Sequence, residues 1–180
     1  LARGQGVVLP SYDVAGMNEL VFKPAYKDLR EYLLGFDYTC AVLLSFEAME
    51  RVAFEMAEDA IAQGVRYLEV RFAPQRLISS GEACVHAFKA VGDGLARAAR
   101  QHNLSTPARQ GEDILFDWAI ICCAMRNFGR GMSVYYDRLL DVLPGMRHKE
   151  VVAIASLEAV RAAVTARERH GIPVTGFDLA

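Results

Sequence analysis

The sequence predicts an α/β fold in which amphipathic helices alternate with the strands of a parallel sheet. Three observations carry this. Apolar stripes recur at helical spacing, short β-rich runs follow them, and Gly or Pro marks the junctions. Strands alternating with helices imply right-handed βαβ units, and hence neighbouring parallel strands. An open doubly wound sheet and a closed (β/α)₈ barrel both have that order.

In chain order, Leu1-Ala2-Arg3-Gly4 reads as the tail of a helix. Phe22 to Leu34 predicts a helix, with Leu29, Leu33 and Phe36 at spacings that share one face. Ser45 can cap the next helix, with Glu47 and Glu50 placed favourably for its dipole. Phe46, Met49, Ala53, Met56, Ala57 and Ala60 form its stripe, and Gly64 closes it in a left-handed conformation. A strand follows over residues 65–72, closed by Ala73-Pro74. Val85, Phe88, Val91 and Leu95 mark another amphipathic helix. The polar stretch from Asn103 to Asp113, with Pro107 and Gly111, reads as a surface loop. The near-continuous apolar run over residues 118–125 has the mark of a strand buried on both faces. Ser133 starts a helix that Pro144-Gly145 stops, a long helix covers about His148 to His170, and Gly171 introduces a third strand over 173–179.

Composition narrows the function classes. The 180 residues are 53% hydrophobic and 23% charged, as in an ordinary globular chain. A net charge of −2 gives no basic footprint for nucleic acid. No apolar run reaches the ~20 residues of a membrane span. Cys40, Cys84, Cys122 and Cys123 include no CxxC pair, and read as reduced thiols of a cytosolic protein. Adjacent in a strand, Cys122 and Cys123 should point to opposite faces. No strand is followed by GxGxxG or a Walker loop. Gly92-Asp93-Gly94 lies inside a helical pattern, and Gly129-Arg130-Gly131 lacks the third glycine, so phosphate binding is unsupported. His86, His102, His148 and His170 are isolated and read as solvent-exposed.

Three segments together resemble the adenosine deaminase family. They are Glu50-Arg51-Val52-Ala53-Phe54-Glu55 through Gly64 to Pro74, then Cys123-Ala124-Met125-Arg126, then Phe177-Asp178-Leu179-Ala180, in the family's order and spacing. The resemblance implies a (β/α)₈ TIM barrel of which this chain covers roughly strands 2 to 4, residues 1–180 being a partial barrel domain cut at both ends. It also implies a zinc-dependent aminohydrolase that converts adenosine to inosine and ammonia. Bound zinc lowers the pKa of the attacking water, and a glutamate protonates the ring nitrogen. In the family the zinc ligands and that glutamate lie on strands beyond these three. No catalytic residue and no metal ligand is therefore assigned here, and this chain alone is expected to be inactive.

By the same resemblance the purine pocket draws on Leu29, Tyr32, Leu33 and Phe36, on Ala73, and on Met125 and Ala180. Periodicity alone would put the Leu29–Phe36 stripe in a helix core. Ala73 stands where some members carry serine, and Asn127 where many carry histidine. Glu69 and Arg71 alternate with Tyr67 and Ala73, face the barrel interior, and read as a structural ion pair, with Asp178 also structural. The partner implied is a small purine nucleoside, with the remaining part of the barrel or a second copy completing the fold. Adenine, N6-modified adenines and aminofutalosine remain open as substrates. So does an inactive family member serving as a binding module.

Overall fold

A computed structural model describes residues 1–77, 82–126 and 128–180. Asn127 lies outside the described residues. Among the described residues twelve short and long elements follow one another: α1 (Ala2–Gln5), α2 (Val14–Leu20), α3 (Leu29–Val42), α4 (Phe46–Ala62), β1 (Tyr67–Phe72), a 3-10 turn (Pro74–Arg76), α5 (Ala83–Asn103), α6 (Thr106–Gln110), β2 (Asp117–Ala124), α7 (Val134–Val142), α8 (His148–His170) and β3 (Val174–Leu179). The strands form one sheet in the order β1-β2-β3. Both pairings are parallel, with Tyr67 opposite Asp117 and Ile120 opposite Val174. Between Ile120 and Ile121 the β2–β3 register slips, so that Ile121 meets Gly176 and Thr175 is the extra residue of a bulge.

Local chemistry sets the boundaries. Ser45 caps α4 by accepting the Ala48 N–H at 3.1 Å, and Gly64 beyond its end is left-handed at φ 85°. Gly171 ends α8 in the same way at φ 66°. The helix expected over Phe22–Leu34 starts only at Leu29. Pro24 interrupts the earlier part, and Asp28 accepts the Glu31 N–H at 2.8 Å, which makes it the cap. From there α3 runs past the expected end to Val42. The surface loop expected over Asn103–Asp113 also needs correcting, because it contains α6. Pro107 sits in the first turn, where its missing N–H costs nothing, and Gly111 closes the helix at φ 75°.

The core lies on one side of the sheet, where α5 and α8 pack. Phe88, Leu95, Ile120, Cys122 and Ala159 have no solvent exposure. Burying an aromatic ring the size of Phe88 contributes about 2–3 kcal/mol. The helices come close because the contact residues are small. Along α8 the buried face reads Ala155, Ala159, Ala162, Ala163, Ala166. Between α4 and α5, a Cβ on Gly94 would lie 2.2 Å from the Glu50 carbonyl oxygen. Gly94 thus serves helix packing, and Gly92 lets α5 lie against Ile172 and Trp118.

Two side-chain clamps fix the amino end of the sheet. Arg66 donates to both oxygens of Asp113, at 2.8 and 2.7 Å, tying the approach to β1 to the approach to β2. Asn103, the last residue of α5, accepts the Phe116 N–H at 2.7 Å and donates to the Phe116 carbonyl at 3.0 Å. One carboxamide thereby pairs with both backbone groups of one residue, as a neighbouring strand would.

Candidate functional site at the carboxyl edge of the sheet

Because the three strands are parallel and adjacent, their carboxyl ends share one edge. Ala73 follows β1 and leads into the 3-10 turn. Met125 follows β2, half-buried, and its N–H donates to Gln75 Oε1 at 3.0 Å. Ala180 follows β3; its N–H donates to the Ala124 carbonyl at 2.8 Å, and its carbonyl accepts from the Arg126 N–H at 2.6 Å. The structure therefore brings Ala73, Met125 and Ala180 to one edge through backbone pairing and one buried carboxamide.

Helix α3 is tied to this edge through Asp37, whose Oδ1 accepts from Arg76 in the 3-10 turn at 3.3 Å. Phe36 is the neighbour of that anchor. Leu29 is the first residue of α3, about 10 Å along the axis from Phe36 at its middle. The stripe is open to solvent: Leu29 is 69% exposed, Leu33 48%, Phe36 45% and Tyr32 44%. This overturns the helix-core reading that periodicity alone favours. The residue α3 does bury is Gly35, where a Cβ would meet Val21 at 3.3 Å. Tyr32 stacks edge-on to both Phe36 and Tyr26, with centroids 5.4 and 5.2 Å apart.

On the face of the sheet away from α5 and α8 the outer strands carry polar side chains, while the middle strand presents Ala119, Ile121 and Cys123. Tyr67 donates to Glu69 Oε1 at 2.9 Å, and Thr175 on β3 reaches the same oxygen at 3.3 Å. Arg71 pairs with Asp178 across β2 at 2.5 Å. The expected Glu69–Arg71 pair is thus corrected. At i, i+2 both residues face the same way, but the register brings Asp178 to the guanidinium and Thr175 to the carboxylate. The Asp178 carboxyl is held below the usual carboxylate range, first by the Leu179 N–H and then by Arg71. The Glu69 hydrogen bond raises the Tyr67 hydroxyl. Cys123, opposite Asp178 and 2% exposed, has its thiol raised by burial, with Arg71 opposing. These groups are committed to one another, an arrangement that orders a polar surface rather than one that activates a nucleophile.

Cys122 does point the other way, with its thiol 3.7 Å from the Ala159 carbonyl of α8. Burial pushes the Cys84 and Cys122 thiols up to about 12, which keeps them protonated and unreactive. His86, His148 and His170 are exposed as expected, whereas His102 is not. Its side chain is 9% exposed, with Nε2 3.0 Å from the Ile114 carbonyl and 3.8 Å from Asp113. Among the described residues no three His, Cys, Asp or Glu side chains come together in a way that could hold a metal ion. The residues present do not fit the zinc site that the resemblance implies. No described helix is long and apolar enough to cross a membrane.

Two features of the edge escaped sequence reasoning. Nothing in the periodicity marks Gln75 as fully buried, although Pro74 beside it signals a tight turn. The Arg76–Asp37 tether joins residues 39 apart, and no local pattern points to it.

A family model described as adenosine deaminase matches residues 1–170. A probable adenosine deaminase of Dictyostelium discoideum is 37% identical over 154 residues, covering 85% of this chain and 18% of that protein. An adenosine deaminase of Shewanella woodyi is 33% identical over 105 residues, covering 58% of this chain and 32% of that protein. The chain thus spans a third or less of the length of these curated relatives. Among solved structures, an adenine deaminase from Arthrobacter aurescens aligns with a TM-score of 0.49 at 19% identity, over 99% of this chain and 42% of that one.

Proposed function

This chain belongs to the adenosine deaminase family, and we propose that the whole protein carrying it hydrolyses the exocyclic amine of an aminopurine nucleoside, adenosine to inosine and ammonia. The fold we propose for it is a (β/α)₈ barrel in which β1, β2 and β3 are strands 2 to 4. The single observation that carries this reading is the meeting of Ala73, Met125 and Ala180 at the carboxyl edge of three adjacent parallel strands, the end at which such barrels place their chemistry. The opposite face supports closure: Arg71 and Asp178 meet across β2, as side chains do on the concave side of a curling sheet.

The chain's own part in the reaction is binding. Leu29, Tyr32, Leu33 and Phe36 offer an apolar surface beside the edge for the flat face of a purine. Met125 supplies a polarisable thioether to the ring, and Ala73 and Ala180 leave room for it. Zinc would supply the acidification of the attacking water in such an enzyme, and the residues that would hold it, like the proton-donating glutamate, would come from outside residues 1–180. Residues 1–180 alone are accordingly inactive, and the protein is cytoplasmic with its thiols reduced.

The test is ammonia release by the whole protein from adenosine, adenine and N6-methyladenine, followed by the absorbance change of deamination and paired with metal analysis. Turnover of adenosine with zinc bound supports the reading. Adenine or N6-methyladenine as the only substrate would move it to another aminopurine, and saturable binding without turnover would leave a binding module.

A further inference from the structure

Gln75 is the polar side chain most completely withdrawn from water at the candidate site. It has no solvent exposure, and it sits in the 3-10 turn that follows Ala73. Its two ends have unequal fates. Oε1 accepts the Met125 N–H at 3.0 Å, whereas Nε2 is buried with no acceptor among the described residues. A buried amide donor without an acceptor forfeits the hydration it had in water, so this carboxamide is not held there for stability. An apolar side chain of the same length would fill the space without that cost. What it uniquely supplies is the acceptor for Met125.

That acceptor stands where the parallel ladder has run out. The β1–β2 pairing ends at Phe72 and Cys122, so Met125 has no β1 backbone partner. The Gln75 side chain continues the pairing beyond the strands. It also links two segments of the edge that lie 50 residues apart, the turn after Ala73 and the end of β2. We infer that Gln75 is a positioning residue for substrate specificity: it fixes the Met125 backbone, and with it the Met125 side chain, against the turn after β1, and so sets the width of the purine pocket between Ala73 and Met125. The inference rests on the proposed aminopurine pocket and deepens it.

The experiment compares the whole wild-type protein with Gln75→Met and Gln75→Glu, each checked for folding by circular dichroism. Gln75→Met keeps length and removes the acceptor. Its KM for adenosine should rise roughly fivefold with kcat within about twofold, the size of one modest hydrogen bond made in ground and transition states alike. Gln75→Glu retains an acceptor oxygen and should bring KM back to within about twofold of wild type. Hydrogen exchange at the Met125 amide should quicken in Gln75→Met and not in Gln75→Glu. A folded Gln75→Met with unchanged KM would overturn the inference while leaving the deaminase reading in place. Loss of kcat and KM together in both variants would also overturn it, by making the role purely architectural. Should Gln75→Met fail to fold, Gln75→Leu, which also lacks the acceptor, replaces it with the same rise in KM and the same faster Met125 exchange expected. A wild-type protein that deaminates no aminopurine would overturn the proposed function, and this inference with it.

Discussion

Arg71 and Phe72 are consecutive in β1 and stand in opposite surroundings. Phe72 leans on Phe88 of α5, with ring centroids 5.2 Å apart, in a layer where the helices approach through alanine and glycine. Arg71 lies on the solvent-open face and is answered by one carboxylate from the far side of the sheet. The difference teaches that this sheet keeps its two tasks on separate faces. The helix-covered face holds the strands together by volume, and a change there is felt as stability. The open face and the carboxyl edge hold positions by a few directed polar contacts, so a change there should register in binding or pH dependence.

Four substitutions in the whole protein can break or sharpen that contrast. The largest effect is expected from Phe88→Ala, which empties a fully buried ring from the α5 layer. Its loss should cost about 3–5 kcal/mol in denaturant unfolding. A cost near zero would mean that α5 does not form the core. Next comes Gly94→Ala. The new methyl would stand 2.2 Å from the Glu50 carbonyl, and α4 must move away, at roughly 2 kcal/mol net of the better helix propensity of alanine. Unchanged stability would show that α4 and α5 are less tightly packed than the geometry says.

On the edge, Phe36→Ala should leave the unfolding midpoint nearly unmoved, because the ring is half exposed. Its effect should fall on KM for adenosine, raised roughly tenfold with kcat little changed, as for an apolar contact made in ground and transition states. A hundredfold fall in kcat at constant KM would contradict a binding role. The smallest effect belongs to Asp178→Asn. The folded carboxyl lies below its ordinary value of 3.8, so its contribution to stability is present above that pH and is lost as pH falls through the folded value. Wild type should therefore be the more stable at neutral pH, with the gap to Asp178→Asn closing only below about pH 3.8. A gap that persists unchanged in strong acid would show that the carboxylate is not what Arg71 answers.

The same contrast explains what the sequence alone makes legible. β1 and β3 are legible because Gly64, Pro74 and Gly171 bracket runs of β-branched and aromatic residues, and β2 because its run is almost continuously apolar. Cys122 and Cys123 were legible as opposite-facing, since alternation is a property of the strand alone. The partner of Arg71 was not. Glu69 is its neighbour in sequence, but which carboxylate it meets depends on a register containing a bulge between Ile120 and Ile121. α3 starts later than its apolar stripe predicts, because a stripe says nothing about where a helix begins, whereas Asp28 and Pro24 do. His102 looked like an exposed histidine until the α6 turn folded Asp113 and Ile114 against it. Of the edge residues, Ala73, Met125 and Ala180 could be named through a family likeness. Gln75 could not, because its burial follows from a turn packed beneath β2.

The clamp of Asn103 on Phe116 has a consequence for the order in which the molecule assembles. It joins residues only 13 apart, whereas the Gln75–Met125 link spans 50. Two doublings of loop length separate them, a difference of about 1 kcal/mol in closure entropy. The α5–β2 corner is thus cheaper to close than the β1–β2 junction, and once closed it fixes the first backbone pairing from which β2 can grow. An amide that copies a peptide lets α5, a local structure, act as a template for a sheet whose own contacts are distant. The slow step of a parallel topology, the search for register, then starts from one end already held.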